Sequence, residues 1–218
     1  MPVQEHRQKK RWPTIQADPT ISVKGQVGDL LSAVDAPAAF PILAIAPSPR
    51  HAGIVCLDDR LKAIVARTRR LRDLVDDSAA LTALAADVRY ELDCRAPRIV
   101  VIERAVEPRR APLTDRLAER VVAQAREAGV RIITLSFVEA CERISSGSSA
   151  RSTAHALISR YAALGKRLAP RGVPLLRHER WREAKPLVTA FALAHAVGLD
   201  VLASAARPLG LGPPPETL

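Results

Sequence analysis

A chain of 218 residues with 48% apolar content has room for one sizeable core and is too hydrophobic to stay unfolded along its length. Aromatic residues make up only 3%, so that core has to be aliphatic, built from Leu, Val, Ile and Ala. The net charge is +10, with 27 Arg and 6 Lys against 23 acids. Arginine forks suit phosphate oxygens, which points to a nucleic-acid partner; a GC-rich genome that inflates Arg and Ala accounts for the same numbers. Cys56, Cys94 and Cys141 are far apart, which excludes a CxxC zinc site or a disulfide framework and suggests reduced thiols in a cytoplasmic protein. The N-terminus is polar and basic, without an apolar segment of signal-peptide type. The most apolar long segment, Pro186 to Ala206, contains His195, Gly198 and Asp200 and reads as a buried helix more than a membrane span.

In chain order, residues 1–41 form an extension without sustained periodicity, and His6 to Trp12 (HRQKKRW) reads either as a solvated tail or as a nucleic-acid contact. Residues 42–206 are the expected domain. Ile42 to Ala46 is a short apolar strand, broken by Pro47, Ser48 and Pro49, and Gly53 to Leu57 is a second strand. Leu61 to Ala66 is a third, followed by Arg67, Arg69, Arg70 and Arg72. Ser78 is placed to cap a helix to about Asp93. Ile99 to Glu103 is a strand, Leu113 to Ala128 a helix stopped by Gly129, and Val130 to Leu135 a strand. Shorter helices are expected over 136–143 and 153–168, with a small polar loop at Ile144 to Ser152. Arg171 to Ala184 reads as basic and irregular, Pro186 to Ala203 as the last helix, and 207–218 as a flexible Pro/Gly-rich tail. Short links join the first three strands and helix-length links join the others, so the expected class is α/β.

Four stretches resemble the RuvC-like resolvases, a branch of the RNase H-like fold. They are ILAIAPSPRHAGIVCLD (Ile42 to Asp58), IVVIER (Ile99 to Arg104), SSGSSARSTAHALI (Ser145 to Ile158) and PLVTAFALAHA (Pro186 to Ala196). The resemblance implies a mixed five-stranded sheet with helices on both faces. It also implies carboxylates that hold catalytic magnesium. Glu103 stands at one acidic position, but Ala46 stands where the family carries the first aspartate and Thr189 where it carries the last. Pro186 occupies a further position that is acidic in many resolvases.

Hydrolysis by this family's chemistry requires three or four converging carboxylates around two magnesium ions. One carboxylate in place leaves Glu103 as a vestige of a metal site, or as the partner of Arg104 at a strand end. Glu183 is the nearest candidate for a substitute acid, while Asp58 and Asp59 lie at the far end of the second strand. His51 and His155 read as surface histidines, and His195 as a packed helix residue. No phosphate-cradling GxxxxGK[ST] or nucleophile-elbow GxSxG occurs. No metal is therefore expected; Mg²⁺ enters only if substitute ligands restore cleavage.

The basic residues expected around the cleft are Arg50, His51, Arg104, Arg109, Arg110, Arg151, Arg177, Arg180, Arg182 and Lys185. Contacts of this kind go to backbone phosphates and carry no base information. The favoured reading is a catalytically inactive nucleic-acid-binding protein, with DNA, branched DNA included, ahead of RNA. An active metal-dependent resolvase-like nuclease and a protein-interaction scaffold are the alternatives. The resemblance implies a possible homodimer, and no membrane partner is expected.

Overall fold

The computed structural model describes residues 39–104, 111–144, 150–161 and 178–206. Five strands form one mixed sheet: β1 (Ile42–Pro47), β2 (His51–Leu57), β3 (Ala63–Arg70), β4 (Ile99–Glu103) and β5 (Arg131–Leu135). Five helices accompany them among the described residues: α1 (Asp77–Arg95), α2 (Pro112–Glu127), α3 (Phe137–Ile144), α4 (Ala150–Arg160) and α5 (His178–Ala206). The strand order is β3-β2-β1-β4-β5. The first three pair antiparallel as a meander, and β4 and β5 extend the sheet in parallel from β1. This is the arrangement that short and helix-length connections require.

Alternation along β1 divides the core in two. Leu43 and Ile45 join Ile54, Val100, Ile102 and the apolar sides of α1 and α2. Ile42, Ala44 and Ala46 face α5 together with Val55, Leu57 and Val101. Helices therefore cover both faces. The inter-helix contact on the first face is locked by Gln124, whose Nε2 donates to the Ala85 carbonyl at 2.9 Å.

Local chemistry sets the boundaries, and several differ from those expected. The hairpin turn is tighter than the two prolines suggest. Ser48 Oγ donates to the His51 carbonyl at 2.6 Å and accepts from the His51 amide at 3.2 Å. Strand pairing therefore begins at His51, two residues before Gly53, and extends over Pro47 on the other side. β3 runs on to Arg70 instead of ending at Ala66, because Arg67 and Arg69 find carboxylates on α1. Arg67 meets Asp87 at 3.2 Å and Glu91 at 3.0 Å, and Arg69 meets Asp87 at 3.3 Å. The N-cap of α1 is Asp76, not Ser78; its Oδ1 accepts from the Ala79 amide at 2.7 Å. Ser136 and Glu139 form a reciprocal capping box that starts α3. α4 begins at Ala150, inside the expected polar loop.

The largest difference is α5. It starts at His178, within the stretch expected to be irregular, and carries Pro186 inside the helix. A proline there forfeits one helical hydrogen bond, but the helix backbone at this point presses on Gly53. The segment Glu183–Ser204 is long and apolar enough to cross a membrane, yet 72% of its apolar window is buried between the sheet and α3 and α4. Cys56 and Cys141 are buried and Cys94, near the end of α1, is exposed; all three are free thiols. Burial pushes the Cys56 thiol up to about 12 and also raises Cys141.

Candidate functional site

The C-terminal ends of β1 and β4 lie side by side. The parallel register pairs Ile45 with Ile102, so Ala46 and Glu103 are the next residues on neighbouring strands. By alternation both belong to the α5 face, since Ile45 and Ile102 belong to the opposite one. Across the hairpin Ala46 pairs with Gly53, and Gly53 lies beneath the Pro186 carbonyl. Thr189 is one turn further along α5 from that contact. The fold therefore brings Ala46, Glu103 and Thr189 to one end of one sheet face. Ala46 and Thr189 are each 1% exposed, and the Thr189 hydroxyl oxygen is buried with no partner among the described residues.

The basic residues sort by face. On the α1 side, Arg67 and Arg69 are neutralised by Asp87 and Glu91, and Glu91 is buried. On the α5 side of the same strand, Arg70 pairs in register with His51 and is exposed, without a carboxylate partner among the described residues. Arg50 on the hairpin turn and Lys185 on α5 are likewise exposed and unpaired among the described residues. Arg104 is engaged with Glu139 at 2.5 Å. Burial alone would raise the Glu139 carboxyl, but hydrogen bonds from Ser136 and the Arg104 charge outweigh it and hold that carboxyl below its usual range. Arg109, Arg110 and Arg177 lie outside the described residues. Arg151 is on α4, and Arg180 and Arg182 are on the first two turns of α5, next to Lys185 in sequence.

His51 is not a surface residue. The earlier start of β2 places it inside the strand at 4% exposure, and its Nε2 is buried without a partner among the described residues. An unmet buried polar group costs about 1–3 kcal/mol. Burial lowers its pKa below the ordinary value; Glu183 and Asp73 pull it up, and Arg72 and Arg70 push it down. Glu183, the candidate substitute acid, pairs with Arg72. Its carboxylate is half exposed and 3.6 Å from Arg72 Nη1. Arg70, Arg72 and Asp73 escaped the sequence reading because they appear there as loop charges. Their only signal was the run of arginines after an apolar strand.

No family model matches the chain, and no curated protein does. Solved structures do match. Thermus thermophilus RuvC, in complex with a Holliday junction substrate, aligns at 17% identity and a TM-score of 0.55, covering 76% of this chain and 95% of that one. The yeast mitochondrial Holliday junction resolvase Ydc2 aligns at 12% identity and a TM-score of 0.57, covering 82% and 85%. The fold is RuvC-like. It carries the mixed five-stranded sheet of the RNase H-like class, with the site residues at the C-terminal edge of β1 and β4.

A RuvC-like fold implies a magnesium centre at this edge, and the described residues there do not supply the oxygens for one. Hard divalent ions demand several anionic oxygens. Ala46 supplies none, and Thr189 supplies a neutral hydroxyl. Among the described residues no three His, Cys, Asp or Glu side chains converge closely enough to hold a metal ion.

Proposed function

We propose that this RuvC-like protein binds branched DNA through its backbone phosphates and does not cleave it. The observation that carries the reading is the contrast at one sheet edge. Neutral Ala46 and Thr189 occupy the buried centre, while Arg50, Arg70 and Lys185 stand at its lip without carboxylate partners among the described residues. Such an edge attracts a polyanion and lacks the charge to assemble a two-metal centre. The Holliday-junction resolvases that share the fold make a branched duplex the favoured ligand, and a homodimer belongs to the same reading.

The test is a synthetic four-way DNA junction, incubated with the full-length protein at low salt in Mg²⁺ or Mn²⁺. A retarded, uncut junction is the expected result. Metal-dependent nicking abolished by Glu103→Gln would replace this reading with that of a nuclease using substitute ligands. No binding to any DNA or RNA would leave a protein-interaction scaffold.

A further inference from the structure

We propose that the tip of the β1–β2 hairpin is a phosphate subsite formed by His51, Arg70 and Arg72, and that Glu183 occupies it as an internal stand-in anion until nucleic acid displaces it. The inference rests on the DNA-binding reading and specifies where one backbone phosphate is held.

Four observations converge on this place. His51 and Arg70 are cross-strand partners on the α5 face. They lie two residues toward the tip from Gly53, which pairs with Ala46, roughly 7 Å from the neutral centre along the strand. Arg72 is tied to the same tip, because its amide donates to the Arg50 carbonyl at 3.1 Å. His51 is buried with Nε2 lacking a partner among the described residues, an arrangement that a folded core tolerates poorly and a ligand oxygen would complete.

The charged groups around His51 come from every element packed there: Arg70 from the end of β3, Arg72 and Asp73 just beyond it, and Glu183 from α5. Glu183 is the weakly held member. Its carboxylate is half exposed, and its contact with Arg72 is a single ion pair at 3.6 Å. A phosphate brings more charge and more acceptor oxygens than a carboxylate to the same guanidinium. Displacement of Glu183 leaves Arg72 with Asp73, its neighbour in sequence at 3.4 Å, and the greater negative charge of the incoming phosphate, replacing that of Glu183, favours a proton on the imidazole. Neighbouring Arg69 cannot substitute, since it faces α1 and is paired with Asp87.

The experiment compares binding of a fluorescent four-way DNA junction by the full-length protein and its Glu183→Gln and Arg72→Ala variants. Removing the competing anion should tighten binding about threefold, the scale of one exposed ion pair. Removing Arg72 should weaken it about tenfold. Glu183 is exposed enough that its amide variant should fold. The wild-type protein should also bind more tightly as pH falls from about 8 to about 6, and His51→Gln should flatten that dependence. Wild-type binding with Glu183→Gln unchanged or weaker, or a pH dependence that survives His51→Gln, overturns the subsite while leaving DNA binding intact. Absence of wild-type binding would instead remove the reading on which it rests.

Discussion

Gly53 lies directly beneath Pro186: a β-carbon on the glycine would sit 2.0 Å from the proline carbonyl oxygen and 2.7 Å from the Leu187 amide nitrogen. Both obstacles are backbone, so neither can swing aside. The glycine lets α5 settle onto β2 at the level of Ala46, and thereby places Thr189. Gly53→Ala should therefore cost about 3 kcal/mol or more, the upper range for overpacking. Chemical denaturation of the variant checks this, and a loss within about 0.5 kcal/mol would contradict the close packing of helix on strand.

Restoring acids at the neutral centre should restore a response to metal. In the double variant Ala46→Asp with Thr189→Asp, buried carboxylates repel one another and Glu103, so the protein should be less stable than wild type in a chelator. Mg²⁺ or Mn²⁺ should recover part of that loss, and the melting temperature reads it. Wild type should melt at the same temperature with and without metal. An equal shift in both proteins would show that the native residues already hold an ion.

Binding to a DNA junction should fall steeply with salt. If about six to ten phosphates are contacted, affinity drops roughly 10³- to 10⁵-fold between about 50 and 200 mM. Replacing Arg180 and Arg182 together by alanine should weaken binding to every sequence about equally. Replacing Arg89, which pairs with Asp93 on α1, and Arg126 on α2 should do much less. Equal losses for the two pairs would mean that charge is spread without a preferred face.

Stability should decline in mild acid because of His195. Its Nδ1 and the Tyr161 hydroxyl oxygen are 2.8 Å apart in the core, sharing one hydrogen. Burial lowers the imidazole from 6.5 to about 4, with Arg160 adding to the effect. The unfolded chain therefore takes up a proton before the folded one does. The contribution is complete above the unfolded value and lost as pH falls from about 6.5 toward about 4. Between about pH 7 and pH 4.5 the loss should be about 2–3 kcal/mol. It should be absent in His195→Gln, so unfolding midpoints of the two proteins should converge as pH drops.

The strands were legible because their signals are local. Apolar runs, a proline-serine break, a glycine and helix-length links are enough to mark the strands at Ile42, Ile99 and Val130 and the α/β class, while the order of one mixed sheet came from the resemblance to the RuvC-like resolvases. Ala46 and Thr189 were found through the same resemblance, which marks the positions where the family carries acids. What escaped depends on partners distant in sequence. Arg67 and Arg69 look like loop charges until Asp87 and Glu91 meet them across the sheet. Pro186 looks like a helix start until Gly53 makes room for a helix that continues past it. His51 looks exposed until Ser48 closes the turn and moves the strand start by two residues.

The unequal burial of the three cysteines has a practical consequence. Cys56 and Cys141 are enclosed and hold their protons tightly, whereas Cys94 stands open on α1, across the sheet from α5. A maleimide reagent near neutral pH should attach once per chain, at that one position. A fluorophore or tether placed there reports tumbling, stoichiometry and immobilised binding from the back of the molecule, with no need to remove any native thiol.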